Sequence, residues 1–243
     1  MKVKFICKGM IFLDTAIVTG ASSGIGLAIS KVLLQNNYIV YGLGRDFSKV
    51  SLKNENFKAV SCDLLETNKI FEIIKKIKKT ENIKVLVNNA GAAYFGLHEE
   101  LNTKKIHEMV TTNLEIPLCL TQLLLRDIKK NKGYIINISS VTAKKSSPHG
   151  CAYGATKAAI SHFSTSLFDE CRKYGVKVIC IHPDIVKSSF YRNADFKEGE
   201  SFDSFITPEE VAEAVNFALN VRDGLSINEI SLSPQKNRIS KKS

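Results

Sequence analysis

The chain has 243 residues, 44% hydrophobic and 24% charged, enough apolar material for one large core and outside the range of disordered or fibrous chains. Its 34 Lys and Arg against 24 Asp and Glu leave a net charge of +10. The densest basic runs, Lys75-Lys76-Ile77-Lys78-Lys79 and Lys236 to Lys242, have no interleaved aromatic residues to stack on bases, so no specific nucleic-acid partner is expected.

The strands and helices alternate along the chain. Thr15 to Thr19 is a short apolar strand, and Gly24 to Gln35 carries Ile25, Ala28, Ile29, Val32 and Leu33 at helical spacing. Tyr38 to Gly42 and Phe57 to Ser61 are predicted strands, then Thr67 to Lys79 is a helix with Ile70, Ile73, Ile74 and Ile77 on one side. Ile83 to Val87 is the fourth strand. Thr103 to Lys130 reads as one long or bent helix, with Pro117 at the kink. Tyr134 to Ser139 is the fifth strand, Tyr153 to Arg172 a helix, and Val176 to His182 the sixth strand. Pro208 to Asn220 is a helix opened by Thr207 as N-cap, and Ile227 to Leu232 is the last strand. Strands alternating with helices imply a parallel sheet covered on both faces.

Cys7, Cys62, Cys119, Cys151, Cys171 and Cys180 form no C-x-x-C pair and no zinc spacing, so no metal is expected and a reducing cytoplasm is the expected compartment. The longest apolar run is too short to span a membrane, and Met1 to Leu13 lacks the apolar core and cleavage site of a signal peptide. Residues 1–14 are expected to be an extension or arm, 15–234 the catalytic domain, and 235–243 a disordered basic tail.

Three stretches carry chemistry. Gly20, Gly24 and Gly26 sit between the first strand and the first helix, where glycines allow a tight turn and the helix N-terminus offers N–H groups to a pyrophosphate. Tyr153 and Lys157 stand four residues apart, one turn apart on one helix face. A neighbouring ammonium favours a phenolate, which makes such a pair a candidate proton shuttle for an alcohol. The same spacing also occurs on ordinary surface helices. The end of the second strand reads Leu43-Gly44-Arg45-Asp46. A guanidinium there matches a 2′-phosphate, so NADP(H) is preferred, with NAD(H) left open because Asp46 follows at once.

In order, T-G-A-S-S-G-I-G (Thr19 to Gly26), Asn88-Asn89-Ala90-Gly91, Ser140 thirteen residues before Tyr153, and Lys157 resemble the short-chain dehydrogenase/reductase family over Thr15 to Pro234. The resemblance implies an α/β fold: a single Rossmann-type doubly wound domain with a parallel sheet of about seven strands. It implies an NAD(P)H-dependent oxidoreductase interconverting a small-molecule alcohol and carbonyl by hydride transfer. Tyr153 would be general acid and base, Lys157 would hold the nicotinamide ribose and lower the Tyr153 pKa, Ser140 would hydrogen-bond the substrate oxygen, and Asn113 would support a water relay. Cofactor contacts would come from Gly20, Ser22, Ser23, Gly24, Ile25 and Gly26, from Arg45, from Asp63 and Leu64 at the adenine, and from Asn89, Ala90 and Gly91. Pro183, Val186 and Ser188 would complete that set beside Tyr153 and Lys157. The family motif after the sixth strand has glycine where this chain has Asp184, a residue that tolerates left-handed backbone.

The resemblance also implies a homodimer or homotetramer through the long helices. Pocket positions are expected at Ala92 to Leu97, Val141 to His149 and Ser189 to Ile206. The Ile227-Asn228-Glu229-Ile230 ending is similar to family branches acting on small hydroxy acids, for which Arg192 and Lys187 are the candidate carboxylate clamps. The alternative reading is a non-catalytic NADP(H)-binding regulatory or scaffold protein, favoured by Asp184.

Overall fold

The computed structural model describes residues 13–236 and 239–241. The expected arm at 1–14 therefore lies outside the described residues except for Leu13 and Asp14, as does the side chain of Arg192. Seven parallel strands form the main sheet: β1 (Thr15–Thr19), β2 (Ile39–Gly44), β3 (Phe57–Ser61), β4 (Ile83–Asn88), β5 (Tyr134–Ile138), β6 (Lys177–Pro183) and β8 (Glu229–Leu232). Their spatial order is β3-β2-β1-β4-β5-β6-β8. The chain runs outward from β1 to β3, then returns to the other side of β1 at β4. That reversal opens a crevice at the C-terminal ends of β1 and β4, where open α/β sheets bind ligands.

The period-2 alternation of each strand feeds two cores. Ala16, Val18, Val85, Val87 and Ile136 face the side covered by α1 (Gly24–Gln35) and α6 (Pro208–Leu219). Ile17, Leu86 and Ile135 face the side covered by α2 (Thr67–Thr80), α4 (Ile116–Lys130) and α5 (Cys151–Cys171). Leu33, Ile74, Leu120 and Leu124 are fully buried, and each such side chain contributes about 1.5–3 kcal/mol relative to exposure. Among the described residues, no helix is long and apolar enough to cross a membrane.

The structure departs from the sequence reading in three places. The expected 103–130 helix is two helices, α3 (Thr103–Val110) and α4, joined by a π-helical segment at Thr111–Glu115. Pro117 lies in the first turn of α4 rather than at a mid-helix kink. In a regular α-ladder the N–H of residue 117 would serve the carbonyl of Asn113, and proline has none to give. The widened turn thus falls on Asn113. Second, β2 ends at Gly44 rather than Gly42, because Leu43 and Gly44 carbonyls accept N–H bonds from Ala21 and Cys62. Arg45 therefore leaves the strand end directly. Third, residues 239–241 of the tail expected to be disordered form a strand. Strand β9 (Ile239–Lys241) pairs antiparallel with β7 (Phe196–Glu198), and the Lys236 ammonium meets Asp203 at 2.7 Å. Two residues so far apart in sequence leave no local signal of pairing.

Candidate active site

The first turn of the crevice is built by close approach. Gly20 has φ +67, and a Cβ there would meet Asn89 Nδ2 at 2.9 Å and the Ala90 backbone at 3.0 Å. Asn89 Nδ2 donates to the Thr19 carbonyl at 2.8 Å, and the Thr19 hydroxyl accepts from the Asn89 and Ala90 N–H groups at 3.0 Å each. Thr19 is thus the pin between the ends of β1 and β4, a role the sequence reading did not assign. A Cβ on Gly26 would strike the Gly20 carbonyl. Gly26 is buried and packs the helix against the strand turn, so the structure does not bring it to the cleft wall. Gly24 has φ +51, and a Cβ there would find only Ser188 Cβ at 3.7 Å. The Ser23 side chain makes no cap bond to α1, so the first N–H groups of the helix face the cleft without a side-chain partner from Ser23.

Gly20, Ser22, Ser23, Gly24, Ile25, Arg45, Asp63, Leu64, Asn89, Ala90 and Gly91 all line one cleft with Ser140, Tyr153, Lys157, Pro183, Val186 and Ser188. The expected cofactor set is therefore contiguous apart from Gly26. A pyrophosphate fits the glycine cradle and the uncapped helix start, so the residues present suit a dinucleotide. Arg45 is exposed at the β2 terminus, whereas the Asp46 carboxylate turns back to accept the Ser48 N–H at 2.8 Å.

Ser140, Tyr153 and Lys157 are brought together although they come from two elements. Ser140 caps the short turn Val141–Ala143 after β5, accepting the Thr142 N–H at 3.2 Å. Tyr153 and Lys157 lie in α5, both nearly fully buried. The Lys157 ammonium donates to the Ile138 carbonyl at 2.7 Å, and the Ser139 hydroxyl donates to the Lys157 carbonyl at 2.9 Å. These two bonds staple α5 to the end of β5. Asn113 does not line the cleft. Its amide oxygen accepts the Ala92 N–H at 2.8 Å and its amide nitrogen donates to the Ala92 carbonyl and Thr156 hydroxyl at 2.9 and 3.0 Å. Asn113 thus holds the β4 exit loop against α5.

Burial governs the protonation of the pair. It pulls the Lys157 amine down to about 8. It pushes the Tyr153 phenol up, with a hydrogen bond to the Ser140 hydroxyl pulling it part of the way back. That direction is opposite to the lowering expected from Lys157. The cause is the wall of rings over the phenol: Phe95 and Phe190 centroids lie 5.7 and 5.9 Å from that of Tyr153. A water-excluded phenol keeps its proton.

Asp184 has no left-handed backbone to accommodate: among the described residues, positive φ outside glycine occurs at Asn37 and Lys132. The expected backbone argument for Asp184 is corrected on that ground. Its N–H donates to the Leu232 carbonyl at 2.9 Å, and its carboxylate caps the Ile185 N–H at 3.0 Å and lies 3.7 Å from Lys145. It lines the cleft. Of the expected pocket stretches, Ala92 to Tyr94 and Ser189 to Tyr191 with Asn193 reach the cleft, and Val141 to His149 do not. Lys187 lies over the Phe205 ring at 4.8 Å and is not part of the cleft wall.

One buried group behind Ser140 escaped the sequence reading. His182 on β6 is fully buried, with Nδ1 at 3.2 Å from the Ser140 carbonyl and Nε2 at 2.6 Å from Glu229 on β8. Glu229 also pairs with Lys144, four residues beyond Ser140. The Lys144 ammonium holds the Glu229 carboxyl below its usual range, and burial pulls the His182 imidazole down. Nothing in the residues around His182 announces a partner forty-seven positions away.

The family profile described as short chain dehydrogenase matches residues 14–199. The chain is 32% identical over 225 residues to an uncharacterized oxidoreductase of Staphylococcus epidermidis, covering 90% of this chain and 96% of the relative. Among solved structures it is similar to an alcohol dehydrogenase from the archaeon Thermococcus sibiricus complexed with 5-hydroxy-NADP, with TM-score 0.83, 25% identity, and 93% and 99% of the two chains covered. It is also similar to a serine dehydrogenase from Escherichia coli, with TM-score 0.77, 27% identity, and 90% and 97% covered. A doubly wound sheet with this glycine turn and this profile match places the chain in the short-chain dehydrogenase family, whose members are oxidoreductases that use NAD(P)(H) on small molecules.

Proposed function

We propose that the protein is an NADP(H)-dependent reductase of a small carbonyl compound, working reversibly on the alcohol, with Tyr153 as the proton donor. The observation that carries this reading is the burial of Ser140, Tyr153 and Lys157 in one cleft with the glycine turn at the β1/β4 switch point. Arg45 at the β2 terminus supports the 2′-phosphate, since its guanidinium is free of the turn that occupies Asp46.

The α1 N-terminus would hold the pyrophosphate, Arg45 and Ser22 the adenosine phosphate, Asp63 and Leu64 the adenine, and Lys157 the ribose next to the nicotinamide. When bound, a reduced nicotinamide supplies the hydride to the carbonyl carbon. The π pair of the C=O bond moves to oxygen, and the Tyr153 phenol gives that oxygen its proton. Ser140 donates to the same oxygen, where negative charge grows in the transition state. Lys157, whose amine burial has loosened to about 8, returns a proton toward Tyr153. A phenol held protonated suits the donor role that reduction needs, and the same group would accept the proton in the reverse reaction. The π-helical turn at Asn113 fixes the loop at Ala92, beside Tyr153, and so supports the pair from behind.

Fluorescence titration with NADPH and NADH, followed by NADPH oxidation with aldehydes and ketones, tests the reading. NADPH should bind more tightly, and Tyr153→Phe should lower turnover by about 10²–10⁴-fold while leaving NADPH binding intact. Undiminished reductase activity in Tyr153→Phe removes the mechanism. Tighter NADH binding removes the assignment of Arg45.

A further inference from the structure

The substrate side of Tyr153 is closed by rings from three separate segments. Phe95 follows β4, Phe190 and Tyr191 lie on the turn Ser189–Asn193, and Phe196 lies on β7. Phe95 meets Tyr191 at 6.2 Å and Phe196 at 5.0 Å, and Tyr191 meets Phe190 at 5.5 Å and Phe196 at 5.4 Å between centroids. With Tyr153 itself, five rings form one contact set around the proton donor. Tyr153, Phe190 and Tyr191 line the cleft, and Phe95 and Phe196 back them.

Two carboxylates, Glu108 and Asp184, line this end of the cleft, and Asp184 faces Lys145 at 3.7 Å. Glu108 accepts the Tyr94 hydroxyl at 2.7 Å. Among the described residues, the ammonium that lines the substrate end is Lys157, already committed to the Ile138 carbonyl. A carboxylate-bearing substrate would meet two carboxylates and a ring wall. A flat apolar group next to the carbonyl would instead exchange ring–ring contacts within the wall for ring–substrate contacts, at little net loss.

We propose that the preferred substrate is an uncharged aryl aldehyde or aryl ketone, or the matching benzylic-type alcohol, with its ring against Phe190 and Tyr191, which line the cleft, and its oxygen at Tyr153 and Ser140. This rests on the reading of Tyr153 as proton donor. It runs against the small hydroxy acids suggested by the Ile227 to Ile230 ending. The antiparallel ribbon of β7 and β9 anchors the Phe196 end of the wall behind Tyr191.

The test compares kcat/KM with NADPH for benzaldehyde and acetophenone, for heptanal as an uncharged chain of similar carbon count, and for pyruvate, with L-serine oxidation as the reverse control. Benzaldehyde should exceed pyruvate by at least about tenfold, and Phe190→Leu and Tyr191→Leu should each cost about three- to tenfold on benzaldehyde with less change on heptanal. Pyruvate or L-serine preferred over the aryl carbonyls overturns the proposal, most directly if that preference vanishes in Arg192→Ala. Equal rates for benzaldehyde and heptanal, unmoved by the ring variants, also overturn it. Tyr153→Phe separates the two levels. If its turnover matches the parent protein, the proton-donor reading has failed. Binding is then read without turnover, as the change in bound-NADPH fluorescence when acetophenone is added to the Tyr153→Phe complex. Saturable binding there that Tyr191→Leu weakens upholds the aryl site, and no binding at millimolar acetophenone overturns it.

Discussion

Replacing His182 by leucine tests whether the buried pair behind Ser140 positions the serine proposed to hold the substrate oxygen. The imidazole, kept neutral by burial, carries one N–H; Nδ1 stands 3.2 Å from the Ser140 carbonyl, whereas Nε2, 2.6 Å from the Glu229 carboxylate, makes no hydrogen bond, so the N–H is assigned to Nδ1. Leucine fills much of the same volume but donates nothing. The Ser140 carbonyl then loses a buried donor, a loss of about 1–3 kcal/mol, which lowers Tm by roughly 2–12 °C for a chain of this size. Glu229 adds little to that figure, because its side chain is half exposed and retains Lys144. The Ser140 hydroxyl is displaced rather than removed. Losing an oxyanion donor outright costs about 10²–10³ in kcat, so a displaced one should cost about tenfold. Arg45 and the glycine turn lie on other strands, so NADPH affinity should hold. His182→Gln, whose amide still donates, should recover most of kcat. The assay is kcat against NADPH Kd, with thermal melts alongside. A fall in Tm with kcat unchanged in His182→Leu would falsify the positioning role, and so would an equal loss of kcat in the glutamine variant.

Other perturbations address the rest of the site. Arg45→Ala should weaken NADPH about 10–100-fold and leave NADH unchanged, read by the same fluorescence titration; equal loss for both cofactors would move the 2′-phosphate elsewhere. Gly26→Ala drives a Cβ against the Gly20 carbonyl and to 2.5 Å from Asn89 Nδ2, so it should destabilise the fold by about 1–3 kcal/mol and abolish tight NADPH binding, and a denaturant melt that does not shift refutes the packing role. Lys157 is held near 8 when folded and near 10.5 when unfolded, so between those values the unfolded chain keeps a proton that the folded one has lost. Its contribution to stability therefore rises as pH climbs from about 8 to about 10.5. The difference between the parent protein and Lys157→Met in pH-dependent denaturation should show that slope, and a flat difference rules it out. Truncation after Pro234 removes β9 and the Lys236–Asp203 pair, and should raise KM for the carbonyl several-fold with little change in NADPH Kd; an unchanged KM would leave the ribbon without a part in the site.

Much of the site is legible in the chain because its chemistry is local. The glycine turn needs a strand before it, a helix after it and glycines where the backbone comes close, and all three conditions lie within Thr15 to Gln35. Tyr153 and Lys157 share a helix face by spacing alone. A parallel sheet covered on both faces follows from alternating elements whose odd and even residues are both apolar, as at Ala16, Ile17 and Val18, whereas the strand order is decided in the tertiary structure. What the tertiary structure decided involves partners far apart in sequence. His182 meets Glu229 because β6 and β8 are neighbours, and Phe196 joins Phe95 because the chain after β6 folds back over the β4 exit. The pKa of Tyr153 belongs to the same class: the local lysine argues for a lowered value, but rings from distant segments exclude water and raise it. Short-range geometry names the candidate groups, and long-range packing sets their solvation, which is why the proposed proton donor can be picked out in the sequence while its protonation state and its wall of rings cannot.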